Sequence, residues 1–162
     1  MANFLINGQS SHSVDVEATD VIRVGDLLWL DEEQMTEVYG ESASSFTWNT
    51  NIATTQEEFH DKFLGVSQGQ RIALQTEDGM LDYAAAGICR GSCDALTEEY
   101  EIGTFVGIAK AAGNALDPQK VAIVATVNLA IGRLSAPARI GATVLEYEFI
   151  STIIYGGPQA PA

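Results

Sequence analysis

Short apolar runs divided by glycine, turn dipeptides and polar stretches set the rhythm of this chain. Arg71-Ile72-Ala73-Leu74-Gln75-Thr76 alternates apolar and polar residues, as a half-buried strand does when successive side chains point to opposite faces. Residues 64–67, 81–88, 105–109, 121–127, 130–134 and 144–155 read as further strands, the last long enough to cross the whole domain. Earlier, residues 21–24 and 27–30 are two β-prone runs parted by the turn dipeptide Gly25-Asp26, and Glu77-Asp78-Gly79 is a second turn signal. Strands recurring at spacings of roughly 8–12 residues predict a mainly β fold, a compact barrel or sandwich.

One short helix interrupts this pattern. Thr55-Gln56-Glu57-Glu58 has the form of a capping box, Phe59 and Phe63 follow on one helical face, and Gly65 is the expected stop. Phe46 and Trp48, two residues apart, share one side of an extended segment and are expected in the core. Residues 31–37 read as a helical turn or acidic loop, without the alternating oxygen ligands of a calcium loop. The alanines of 84–86 would let another backbone approach closely, and those of 109–115 support a helical turn. Residues 1–19 are polar apart from Phe4-Leu5-Ile6 and suggest an N-terminal arm that either frays or inserts into a neighbour. A β-rich domain spans 20–155, and 156–162, Gly-Gly-Pro-Gln-Ala-Pro-Ala, reads as a flexible tail.

Composition narrows the functional classes. With 162 residues, 46% of them apolar, the chain has material for one core without disulfide or metal. Its 22 acidic residues against 8 basic ones give a formal charge of −14. The basic residues stand singly, whereas phosphate neutralisation needs them clustered, so direct nucleic-acid binding is not expected. A solvated, mutually repelling surface is. The first residues lack the basic and apolar regions of a targeting signal, and no apolar run approaches the roughly 20 residues that span a bilayer. Synthesis in the cytoplasm and no membrane partner are the corresponding expectations.

Candidate chemistry is sparse. Cys89 and Cys93 lack two further ligands nearby and make a poor zinc site; they read as small packing residues. Were they to flank a three-residue hairpin tip, the thiols would approach and an oxidised pair would form outside a reducing compartment. His60 lies among Glu57, Glu58 and Asp61 and reads as an incidental charge partner. Gly91-Ser92-Cys93 lacks the frame of a nucleophile elbow, and neither a P-loop nor a dinucleotide fingerprint occurs. No catalytic, cofactor-binding or metal residue is expected.

The order of the glycine-broken motifs carries more than any one of them. Gly25-Asp26-Leu27-Leu28 entering an early strand, Phe63-Leu64-Gly65-Val66, a strand ending near Gly87, Gly103-Thr104-Phe105-Val106-Gly107, Ala130-Ile131-Gly132-Arg133-Leu134 and a closing strand together resemble the tailed-phage capsid decoration, or head cement, proteins. The resemblance covers roughly residues 21–154 and departs from the usual shorter pattern by an insertion at about 31–59. It implies a structural, non-enzymatic protein on the virion exterior, made in the host cytoplasm. Such a protein binds the outside of an assembled bacteriophage capsid, commonly as trimers, and clamps neighbouring major capsid subunits. Phe4, Leu5, Ile6, Trp48, Arg133 and Arg139 are the candidate capsid or inter-subunit contacts. Two readings compete: a tail or adhesion module that recognises a host receptor, and a small β-barrel hydrolase.

Overall fold

The computed structural model describes residues 3–32, 38–72 and 77–158, without the side chains of 7–10. In chain order these form β1 (Phe4–Val16), β2 (Leu27–Asp31), β3 (Tyr39–Ser42), α1 (Ile52–Lys62), β4 (Phe63–Ser67), β5 (Gly79–Ser92), β6 (Phe105–Lys110), β7 (Leu116–Ile123), β8 (Gly132–Leu134), β9 (Val144–Ile150) and the single turn α2 (Thr152–Tyr155). The fold is mainly β, as expected, and contains a closed five-stranded barrel.

Following the hydrogen-bonded neighbours closes the ring. β5 pairs antiparallel with β9 over Ala86–Ser92, β9 with β8, β8 with β6 and β6 with β7. β7 returns to β5 in parallel where Ser92 faces Lys120. Alternation explains which side is core: in β9, Leu145, Tyr147 and Phe149 are buried while Glu148 is exposed and Glu146 half-exposed. Val106, Ile108, Val121 and Leu134 join them in the same cluster.

The other half of the molecule reuses β5. Strands β1, β5, β4, β2 and β3 pair antiparallel in that order, and this sheet curls until its edges touch, a Cβ on Gly40 of β3 falling 2.6 Å from Val14 Cγ1 of β1. Val16, Ile22, Leu28, Leu64, Leu81, Tyr83 and Ala85 fill the curl. β2 is therefore apolar on both faces: Leu28 enters this smaller core, and Leu27 and Trp29 enter the barrel-side core. Along that second face, Trp29, Phe46, Phe59 and Phe63 form a chain of ring contacts at 5.0, 5.4 and 5.8 Å between centroids. Gln56 of α1 donates to the Ile108 carbonyl of β6 at 2.8 Å, fixing the helix to the barrel wall.

Several local expectations change. Residues 4–16 are not an arm: β1 pairs with β5 from Phe4↔Arg90 to Val16↔Gly79. Polar side chains on its outward face disguise it. Asn3 at its head is buried, its amide donating to the Gly25 carbonyl at 3.1 Å while Tyr147 Oη donates to its side-chain oxygen at 3.1 Å. The helix cap is Asn51, whose side chain accepts from Thr54 N at 2.9 Å; Thr55 lies a turn inside, its hydroxyl donating to the Asn51 carbonyl at 2.8 Å. The helix stops at Lys62 because Phe63 already belongs to β4.

The closing strand ends at Ile150, where Ser151 caps α2 by accepting from Ile154 N. Gly157 and Pro158 pack back as buried residues, with Gly157 N donating to the Ser151 carbonyl, so the tail does not begin at 156. Of residues 21–24, Ile22 forms only an isolated bridge, to Arg71. Of residues 109–115, Ala109 and Lys110 end β6 and 111–115 turn into β7 without a helix; the strand expected over 121–127 ends at Ile123, and Val127 begins a 3-10 turn. The strand expected to continue through 73–76, the acidic stretch 33–37 and the end of the tail at 159–162 lie outside the described residues.

The glycines of the motif series divide into two kinds. Gly25 and Gly103 sit in turns at φ 87° and 92°, a region that disfavours side chains. Gly132 opens β8, where a Cβ would collide with the Glu148 carbonyl of β9, so only glycine lets the strands meet there.

Candidate interaction surface

Register places several of the candidate residues on one outer face. Residues directly opposite in an antiparallel pair point to the same side of the sheet. Phe4 faces Arg90, and Arg90 faces Glu146; Ile88 faces Glu148, which faces Arg133, which faces Phe105. Because 88 and 90, like 146 and 148, are two apart on their strands, the rows lie side by side on the outside of the barrel. Ile6 joins them as the extra residue of a bulge between Leu5 and Asn7, a position that turns its side chain outward. Phe4 is 65% exposed and Ile6 44%.

The charges on this face nearly cancel. Arg90 Nε lies 3.4 Å from Glu146 Oε2, and Arg133 stands 5.1 Å over the Phe105 ring while opposing Glu148 in register. Two of the eight basic residues thus occupy a small area with two carboxylates and exposed apolar side chains, on a molecule of formal charge −14. Leu5 turns inward and packs against the core. Phe4, Ile6 and Arg133 stand out in the sequence, whereas Ile88, Arg90, Glu146 and Glu148 do not. The alternation in β9 exposes the two glutamates, but only the register brings them beside the arginines.

Trp48 and Arg139 are placed elsewhere. Arg139 is exposed on the loop after β8. Trp48 is half-buried beside α1, where it helps line an open groove of roughly 660 Å³ with Trp29, Phe46, Asn49, Glu58 and Lys62. Lys62 sits 5.7 Å from the Trp29 ring centroid and Lys110 5.3 Å from that of Trp48. Trp29 Nε1 donates to the Ser42 carbonyl at 3.1 Å, and Asn49 Nδ2 donates to Glu58 Oε1 at 2.6 Å. His60, expected among surface carboxylates, is instead half-buried with Nδ1 2.5 Å from the Ala130 carbonyl. That contact requires the proton on Nδ1.

Cys89 and Cys93 are both buried and free. They do not flank a hairpin tip. Cys89 lies within β5 and Cys93 directly follows it, so their separation is roughly 13 Å along an extended chain, beyond the reach of a disulfide. Burial pushes the Cys89 thiol up to about 12, despite a hydrogen bond with Tyr147 that acts the other way. Burial also raises Cys93, assisted by Asp94. Thiols held in this form are poor nucleophiles.

A group of carboxylates gathers where β2 meets β3. Glu41 is raised to about 8, first by burial, then by its hydrogen bond with Asp31 and by the charges of Asp31, Asp20 and Glu17. Asp20 is raised by burial and by Asp31, with Arg71 opposing. Among the described residues, no group of three or more His, Cys, Asp or Glu side chains is arranged to hold a metal ion, and no helix is long and apolar enough to cross a membrane. No protein-family model matches the chain, and no curated protein sequence matches it.

Proposed function

We infer that this protein is a structural component of a bacteriophage virion that binds the outer surface of the assembled capsid, as trimers, and stabilises contacts between major capsid subunits. The observation that carries this reading is the outer barrel face bearing Phe4, Ile6, Ile88, Arg90, Glu146 and Arg133. It is rigid, because its residues stand on paired strands, and there a strongly acidic molecule presents balanced charge beside exposed apolar side chains. A protein partner contributes most where apolar anchors are surrounded by pairable charges. Trimerisation then multiplies weak contacts by effective concentration, worth about 10²–10⁴ in avidity.

The motif order supports the same reading. Each glycine-broken segment of the resemblance falls at a strand entry or inside a strand: 25–28 enters β2, 63–66 lies in β4, 103–107 enters β6 and 130–134 leads into β8.

Co-sedimentation with assembled heads tests the proposal. Wild type is expected to pellet with mature capsids, and Phe4→Ser/Ile6→Ser to bind at least tenfold more weakly while retaining its melting temperature within a few degrees. Wild-type protein that stays in the supernatant with heads, while binding host cells, would replace this reading with the adhesion module.

A further inference from the structure

Lys62 and Lys110 flank the aromatic groove and pair with no carboxylate among the described residues, where the ion pairs are Arg90–Glu146 and Lys120–Asp94. Each ammonium rests on an indole face, an arrangement that leaves its N–H donors unspent. Six of the eight basic residues form no ion pair among the described residues; Lys62 and Lys110 stand apart because both rest on indoles beside one groove, whose lining carries a single carboxylate, Glu58. At the far end of the barrel wall, loop 97–102 has the opposite character. Glu98, Glu99 and Glu101 are exposed there without a cation among them, and Ile102 is 65% exposed.

We propose that the groove beside Trp29 and Trp48 receives loop 97–102 of a second copy of this chain, in a head-to-tail contact that joins the subunits. The glutamates meet Lys62 and Lys110, and Ile102 enters the space between the indoles. A molecule cannot fill its own groove this way: the loop precedes Phe105 and Lys110 ends the same strand, which separates them by roughly 17 Å at about 3.3 Å per residue. The net charge does not forbid the contact. At physiological ionic strength the Debye length is about 8 Å, so each copy senses mainly the charges facing it. Contacts of this heterologous kind close into rings when the rotation allows, and the proposal therefore rests on the self-association inferred above but not on capsid binding.

Charge reversal with sedimentation velocity tests it. Wild type is expected to assemble, more weakly at 0.5 M salt. Lys62→Glu/Lys110→Glu and Glu98→Lys/Glu99→Lys/Glu101→Lys are each expected to sediment as monomers, with association weakened at least tenfold. An equimolar mixture of the two regains association between unlike copies, because the altered groove then meets the altered loop and the unaltered groove the unaltered loop, while a ring of three keeps one like-with-like contact and is restored only in part. Lys62→Gln/Lys110→Gln, which keeps the side-chain stems over the indoles, weakens association to a lesser degree. Arg23→Glu, which changes net charge as much as Lys62→Glu but stands elsewhere, leaves assembly intact.

Assembly that survives both reversals, or that Arg23→Glu abolishes equally, overturns the proposal. A wild type that is monomeric at every concentration also overturns it and leaves the groove to a foreign acidic ligand. If that monomer still pellets with capsids, the capsid reading stands without this interface.

Discussion

Glu41 is the residue whose ionisation most directly opposes the fold. Its native value of about 8 lies above the ordinary carboxylate range near 4.3 that the unfolded chain adopts. Between those values the native state holds more protons than the unfolded state, so stability falls as pH rises from about 4.5 to about 8 and levels off above. Glu41→Gln keeps a neutral side chain within hydrogen-bonding reach of Asp31. It is expected to flatten that slope and to raise the melting temperature at pH 8–9, with little change near pH 4.5. Thermal unfolding across this range checks it, and parallel curves for both proteins would remove Glu41 as the cause. Nothing in the local sequence announces this group, since Glu41, Asp31, Asp20 and Glu17 meet only through strand pairing and the bridge between Ile22 and Arg71.

Elements were legible where one chain segment contains its own reason for forming. β9 reads from strict alternation, and β4, β6 and β8 from apolar runs bounded by glycine. β1 did not, because its reason lies in β5, some seventy residues later: the strand is held by a ladder, and its sequence shows only a mildly apolar inner face at Val14 and Val16. The helix illustrates a closer contest. Asn51 and Thr55 are both good starts, and Asn51 wins because a helix beginning there lets Ile52 pack against the core and buries Thr55, Gln56 and Phe59. Asn51→Ala is expected to lower stability by about 0.5–2 kcal/mol, the usual worth of such a cap, whereas a Glu58 substitution leaves the helix start unchanged. Denaturant unfolding of the two variants separates the assignments. The candidate surfaces follow the same rule: exposed Phe4 and Ile6 stand out as apolar residues in a polar stretch, while the Lys62 and Lys110 pair depends on a helix and a strand far apart in sequence.

For the whole molecule, the telling feature is that β5 belongs to both the barrel and the curled sheet. It is hydrogen-bonded on both edges, to β1 on one and to β4 and β9 on the other. Neither half retains a complete wall if this strand leaves, so they are expected to melt together in one transition rather than as two. Amide exchange should register this. The central amides of β5, from Ala84 to Cys89, exchange only through global opening and set the upper limit of protection, while β3, a four-residue edge, opens locally. Two resolved melting transitions, or faster exchange in β5 than in β3, would contradict it. A load applied at the outer barrel face would therefore be carried through one shared wall into the opposite half, so the molecule answers a pull as a single stiff body instead of yielding at a hinge.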